Sequence, residues 1–367
     1  MAFSGFSISQ RKMKLGESQR TAGSSKLAQI KILVRAPNWL GDIVMSAGFF
    51  SKLAEAFPLG RIDVVVTQAF ADVVRRYPGV LRVHPFSKKK FRGPLGIFRF
   101  ARQNLSAASY DLFFCLPDSF SSALMGWFSG SRKRIGYRGD LRSLLLSHAY
   151  PKPRNLHRVQ QYAFLLKEYT HDPLQNLSVR MAWPAAGASA GIDTAGHRVQ
   201  ILLHPNSEAE SRRLPLEMAV ELVNALIDRY DCRVLFSGTV KDRWYVDSLR
   251  QRLRHPQNTQ DLTGQTSIGE LAKLMSTVDL VISTDSGPAH LANSLGARLI
   301  VLWGPADIHE TAPYESTGLS IVCAPALACQ PCIKNRCRNA TLNCLRKIDL
   351  QDVLDQADRM LSGQAGM

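Results

Sequence analysis

Short apolar runs without polar alternation, each followed by a stretch of helical periodicity, set the strongest constraint on how this 367-residue chain can fold. IKILVRA, RIDVVVT, LRVHPF and YDLFFCLP lie in the first half; VQILLH, CRVLFSG, DLVIS and RLIVLW lie in the second. A strand that is apolar on both faces must be covered on both, which is the condition of a parallel sheet between helical layers. QAFADVVRRY, PLGIFRFARQNL, LPLEMAVELVNALIDRY and TSIGELAKLMSTV supply the helices, and PNWLGDIVMSAGFFSKLAEAF reads as a loop turning into one. The alternation breaks at the Ala-, Gly- and Pro-rich segment 181–197, the predicted linker. The expectation is an α/β chain of two doubly wound parallel-sheet domains, 30–180 and 198–348. A closing helix spans 349–367, and 1–29 is a basic extension without fixed structure. Two such domains bind ligands in the cleft between them, at the carboxyl ends of the strands.

Charge divides the chain. Residues 1–190 hold 28 Lys and Arg against 10 Asp and Glu, whereas residues 191–367 hold 18 against 20. The basic excess therefore belongs to the first half, and it points to an anionic partner met by that half: nucleic acid, lipid head groups or an anionic glycan. No apolar run reaches the ~18 residues of a bilayer span, and the first 29 residues carry no apolar core of a secretory signal. Seven cysteines in a chain this long do not suggest a disulfide scaffold. Four of them, Cys329, Cys332, Cys337 and Cys344, crowd into one stretch. Four thiolates suffice for a structural zinc, but the spacing matches no standard zinc module, so the cluster stays open between a metal, a redox-sensitive group and neither.

STDSGPAHLANSLGA (283–297) marks the seam between a buried strand and a helix. The first N–H groups of a helix lack partners and its macrodipole is positive there, so a phosphate is the natural guest. Gly287 admits close backbone approach, Pro288 suits a first turn that needs no N–H, and Ser286 either caps the helix or donates to a phosphate oxygen. Thr284 and Asp285 end the strand, Asp285 placed to accept sugar hydroxyls, and His290 lies a turn further on. The plain alternative is an ordinary capped helix. Other strand ends converge on the same cleft: Asn206, Ser207 and the pair Arg212–Arg213 after VQILL, Gly238 after CRVLF, and Thr263 with Gly264 in DLTGQTS. An arginine there can neutralise a diphosphate. No G-x-G, no P-loop and no D-x-D occurs anywhere, so the dinucleotide fingerprint and the usual metal-holding carboxylate pair are absent.

VRAPNWLGDIVMSAGF near the start, SRRLP after LLHP, and the run DLTGQTSIGELAKLMSTVDLVISTDSGPAHLANSLGARLIVLWGP together resemble the heptosyltransferases of glycosyltransferase family 9, from about residue 30 onward. The resemblance implies a GT-B fold and an inverting transfer that uses no bound metal and no cofactor. The donor, ADP-L-glycero-D-manno-heptose, would sit in the second domain and a heptosyl-Kdo-lipid A acceptor in the first. It implies that Thr284, Asp285, Ser286, Gly287 and His290, with Ser207, Arg212, Gly238, Thr263 and Gly264, serve the donor. Arg212 falls where the family has a lysine, and Leu214 replaces a tryptophan. The family's base is the aspartate of the GD loop, here Asp42. From the residues alone, Asp42 at a strand-to-helix junction could equally serve its own helix terminus. Asn38, Trp39 and Gly41 shape that loop, and Arg134 and Tyr137 lie in an RIGY element on the acceptor side.

The acceptor so implied is an anionic lipid on the cytoplasmic face of a Gram-negative inner membrane, which accounts for the basic half without nucleic acid and makes the protein cytoplasmic and peripheral. Segment 84–105 interleaves Lys88, Lys89, Lys90, Arg92, Arg99 and Arg102 with Phe91, Ile97, Phe98 and Phe100. It reads either as a basic helix lying on that interface or as a surface helix packing its aromatic side on the sheet. Two other readings compete: a GT-B transferase or epimerase for another nucleotide sugar, and a non-enzymatic binder of nucleic acid or membrane, which leaves the Asp285–His290 group unexplained.

Overall fold

The computed structural model describes residues 29–173, 175–184 and 199–362. The expected N-terminal extension, up to residue 28, and most of the expected linker, 185–198, lie outside the described residues. Six strands build the first sheet: β1 (Lys31–Arg35), β2 (Arg61–Thr67), β3 (Val80–Phe86), β4 (Leu112–Cys115), β5 (Lys133–Tyr137) and β6 (His148–Tyr150). They pair in the order β3-β2-β1-β4-β5-β6, all parallel. The second sheet comprises β7 (Gln200–His204), β8 (Arg233–Phe236), β9 (Thr259–Asp261), β10 (Leu280–Thr284), β11 (Leu299–Trp303) and β12 (Leu319–Cys323). Its order is β12-β11-β10-β7-β8-β9, again all parallel. Each sheet thus reverses its winding direction at one place, between β1 and β4 and between β7 and β10. Side chains leaving those strand ends border a crevice, the ligand site of doubly wound folds.

Continuous apolar strands take the centre, as the sequence pattern requires: every residue of β10 and β11 is buried. The strands missed by pattern are β5, β6, β9 and β12, short and lying toward the sheet flanks, where partial exposure leaves polar residues in place. QAFADVVRRY shrinks to a 3-10 turn, Gln68–Phe70, and a four-residue helix, Ala71–Val74. Pro78 and Gly79, the latter at φ +71°, turn the chain into β3 before a longer helix can form. The helix after β1 breaks into Leu40–Met45 and Ala47–Ala56. At the break the Ser46 hydroxyl donates to the Ile43 carbonyl at 2.6 Å, a back-bond that competes with the helical ladder.

The two halves touch directly. His157 Nε2 lies 2.8 Å from the Ala312 carbonyl, the Val179 N–H donates to Glu315 Oε1 at 2.7 Å, and the Met181 N–H donates to the Ser294 carbonyl at 2.9 Å. One apolar cluster runs through both, from Ile32 to Trp303. The closing helix, Leu350–Ser362, buries Val353, Leu354, Ala357 and Leu361 within the core of the second half.

Candidate active site

The two switch points are brought together by two helix starts. The Leu40–Met45 helix follows β1, and the helix Gly287–Leu295 follows β10. A Cβ on Gly41 would stand 2.9 Å from His290 Cδ2, and one on Gly287 would stand 2.8 Å from Leu40 Cβ. Both glycines are therefore required by the approach itself: any side chain would push the first turns apart. Two positive helix ends converge on one place as a result.

Asp42 stands in the first turn of its helix, its side chain about a quarter exposed. The Tyr162 hydroxyl donates to Asp42 Oδ1 at 3.0 Å, and Arg158 Nη1 lies 3.9 Å from the same oxygen. Burial, with the Asp42 charge beside it, holds the Tyr162 phenol well above its ordinary value, so it stays a donor. One carboxylate oxygen is thereby fixed, and no hydrogen bond among the described residues holds the other. Tyr162 and Arg158 belong to the helix Arg158–Thr170, about 120 residues away in sequence, and no local signal in the chain pointed to them. We expect Tyr162→Phe to lower kcat about tenfold, the effect of loosening a general base, and to leave ADP affinity within twofold; unchanged kcat in a steady-state assay would contradict this positioning role.

Across the cleft, Ser286 precedes the Gly287–Leu295 helix but makes no side-chain cap; its hydroxyl instead lies 3.0 Å from that of Ser283. The ordinary-cap alternative therefore does not describe this helix. Asp285, 3% exposed, has Arg212 Nη1 at 3.1 Å from Oδ2, at an angle that makes no hydrogen bond. Burial pushes its carboxyl up to about 6, with Arg212 pulling the other way. His290 is pushed down to about 3, by burial first and then by His157 and Arg212, so it is a neutral imidazole.

Buried polar atoms without a hydrogen-bond partner gather along this edge: both side-chain polar atoms of Asn206, Nε of Arg212 and of Arg213, Thr263 Oγ1 and Asp285 Oδ2. Buried polar groups are normally satisfied, so these orphans at the carboxyl ends of β7, β9 and β10 make that edge a candidate polar ligand site. Gly264, at φ +71°, donates its N–H to the Gly238 carbonyl at 2.9 Å, tying two of the predicted loops together. Ser207 is half-buried beside Asn206, and the Thr284 hydroxyl points to the Asn206 carbonyl at 3.5 Å.

Not every expected residue joins the site. Trp39 is 62% exposed beside Asp42, and Asn38 accepts a hydrogen bond from Arg35. Arg134, however, sits near the amino end of β5, with its guanidinium donating to the Leu145 and Ser131 carbonyls and stacking over Trp127. Tyr137 is buried, and its hydroxyl donates to the Gln161 carbonyl. Both side chains tie backbone carbonyls of the first half. The four clustered cysteines are free thiols lining one cavity of about 260 Å³. Among the described residues no group of three or more His, Cys, Asp or Glu is arranged to hold a metal, so the structural-zinc reading gains nothing from the geometry. Their segment does buttress the loop that carries Arg212: the Ser211 N–H donates to the Asn335 carbonyl at 3.0 Å and its hydroxyl to the Lys334 carbonyl.

Two doubly wound parallel sheets, with a carboxylate at one switch point and arginines beside a helix start at the other, have the architecture of a GT-B glycosyltransferase. The family model of glycosyltransferase family 9 (heptosyltransferase) matches residues 97–343, and the chain belongs to that family. Its relatives include lipopolysaccharide heptosyltransferase 2 of Escherichia coli, 28% identical over 78% of this chain and 86% of that one. Lipooligosaccharide heptosyltransferase 2 of Haemophilus ducreyi is 28% identical over 80% and 88%. Among solved structures, E. coli ADP-heptose LPS heptosyltransferase II shares the fold, with a TM-score of 0.78 and 23% identity over 92% of this chain and 100% of that one.

Proposed function

We propose that the chain transfers heptose from ADP-L-glycero-D-manno-heptose to the heptosyl-Kdo-lipid A inner core of lipopolysaccharide, with inversion and without a metal. The observation that carries this reading is the meeting of Asp42, on one switch point, with the Arg212–Asp285–Gly287 group on the other. An inverting displacement needs one base on the attacking hydroxyl and charge stabilisation opposite it, on the leaving group. Asp42 takes the proton as the acceptor oxygen attacks the anomeric carbon. The bond to the diphosphate breaks, and its charge falls to Arg212 and the helix start at Gly287. The second-heptose assignment is supported by the relatives, since lipopolysaccharide and lipooligosaccharide heptosyltransferases 2 are prominent among them. Transfer assays with purified chain test it: product is expected on mono-heptosylated Kdo-lipid A and not on the unheptosylated acceptor. Preference for the unheptosylated acceptor, or for a UDP-sugar over ADP-heptose, would overturn the assignment.

The basic half serves the acceptor. In the helix Gly93–Asn104, Ile97 and Phe100 are buried, and Phe100 packs edge-on against Phe86 and Phe91. Packing on the sheet therefore claims most of the aromatic side. Leu95 and Phe98 stay exposed, as do Phe120 and Trp127 on the neighbouring helix and Leu141 and Leu144 beyond it. With Lys88, Lys89, Lys90, Arg92, Arg99 and Arg102 alongside, this face suits the anionic cytoplasmic leaflet. No helix among the described residues is long and apolar enough to cross a membrane. Co-sedimentation should rise with the fraction of anionic lipid and fall with salt; independence of both would sink the peripheral placement.

A further inference from the structure

The four clustered thiols take no part in the transfer, yet they lie beside its donor side. Cys329, Cys332, Cys337 and Cys344 line the cavity of about 260 Å³, with Ser211 and Pro305 at its edge. Their segment is strung between two strand ends. The Cys332 N–H donates to the Pro305 carbonyl at 3.0 Å, and Gln330 Nε2 donates to the Gly304 carbonyl at 2.9 Å, just after β11. On the other side the Asn335 and Lys334 carbonyls accept from Ser211, and Arg336 Nε lies 3.0 Å from Glu210 Oε2. Ser211 precedes Arg212, the cation that meets Asp285. The stretch from Cys332 to Cys337 is therefore a strap across the loop that carries Arg212.

The thiols are not alike. Cys344 is buried in the short helix Asn343–Arg346, within the core of the second half. Its thiol is pushed up by burial and by the neighbouring Cys332, Cys337 and Cys329. Cys337 is only half-buried, and the backbone N–H groups of Leu342, Asn339 and Thr341 turn toward its sulfur. They hold that thiol below its ordinary value, and the thiolate is the reactive form. Burial pushes Cys115 and Cys232, by contrast, up to about 12. An accessible thiolate that shares a cavity wall with other thiols is the arrangement of a peroxide-sensitive cysteine.

We propose that Cys337 and Cys344 are a modification site, at which a hydroperoxide closes a disulfide that displaces the strap on the Arg212 loop. The Cys337 thiolate attacks the peroxide. The O–O bond breaks, leaving a sulfenic acid on Cys337 and releasing hydroxide or an alkoxide. The Cys344 thiol then displaces that oxygen: the S–S bond forms, the S–O bond breaks, and the Cys344 proton leaves in water. Two thiols are oxidised and one peroxide is reduced. Drawing Cys337 toward the buried Cys344 pulls on Asn335 and Arg336, just ahead of it in the chain, and through them on the turn Glu210–Arg212. The effect on the donor rests on the transferase reading; the thiol chemistry does not.

The full chain, reduced and then exposed to hydrogen peroxide, should yield a Cys337–Cys344 disulfide peptide on alkylation, digestion and mass spectrometry, with Cys115 and Cys232 still thiols. In calorimetry the oxidised chain should bind ADP about tenfold more weakly, the worth of one charge-assisted contact, and dithiothreitol should restore the affinity. Cys337→Ser, at a half-buried position outside the donor site, should bind ADP as the wild type does and keep that affinity in peroxide. Absence of this disulfide, an oxidised chain that binds ADP as the reduced one does, or an equal peroxide effect in Cys337→Ser overturns the proposal. So does one zinc or iron per chain in the purified protein, because the thiols would then be its ligands. A chain that binds no ADP even when reduced removes the donor-site reading instead, and the mapped disulfide still decides the thiol chemistry.

Discussion

Asp42→Asn is expected to lower kcat by about 10²- to 10⁴-fold, the span over which a positioned general base acts, with ADP affinity unchanged within twofold. The substitution is close to isosteric, and an amide oxygen can still accept from the Tyr162 hydroxyl that now meets Oδ1 at 3.0 Å. The loop should therefore keep its shape and lose only its capacity to take a proton. Single-turnover transfer assays beside ADP calorimetry separate these effects. A variant that turns over within tenfold of the wild type would remove Asp42 from the role. A variant that loses ADP binding would show that the residue holds the loop together instead.

Arg212→Ala is expected to weaken ADP binding by about 10- to 100-fold, the loss of one charge-assisted contact in a desolvated site. It should lower kcat/KM by about 10²-fold or more, because charge grows on the leaving diphosphate as the bond breaks. A second effect follows from Asp285. Its carboxyl is already pushed up to about 6 by burial, and Arg212 is the group pulling it down. Removing the arginine lets it rise further, so the variant's activity should fall off at a higher pH than the wild type's. Arg212→Lys keeps the charge and should recover most of the binding, since this position is occupied by a lysine in the family pattern. If Arg212→Ala binds ADP as the wild type does, the cation at the donor site has been misplaced.

How far the chain's own letters reached can be read from particular elements. β10 and β11 were legible because burial on both faces selects apolar residues, and the runs LVI and LIVLW have no other place to go. Asp285, Ser286 and Gly287 were legible because a strand end, a helix start and a glycine needed for close approach coincide in five letters. β5 hid because KRIGY leaves its first residues partly exposed and so keeps charged residues in a strand; the same charges suggested an acceptor contact, and the Arg134 guanidinium also donates to two backbone carbonyls. Tyr162 and Arg158 were invisible because they reach Asp42 only through the fold, from a helix with an ordinary amphipathic pattern. Arg35 was overlooked for the opposite reason. It sits inside a strand motif, IKILVRA, where an arginine reads as the strand's end rather than as a buried charge.

The most direct test is a calorimetric titration of ADP into the purified chain with a chelator present, repeated with Arg212→Ala. One saturable site, undiminished by chelation and weakened at least tenfold by the substitution, is the predicted result. Failure of ADP to associate, or association that returns only when magnesium is added back, would contradict it.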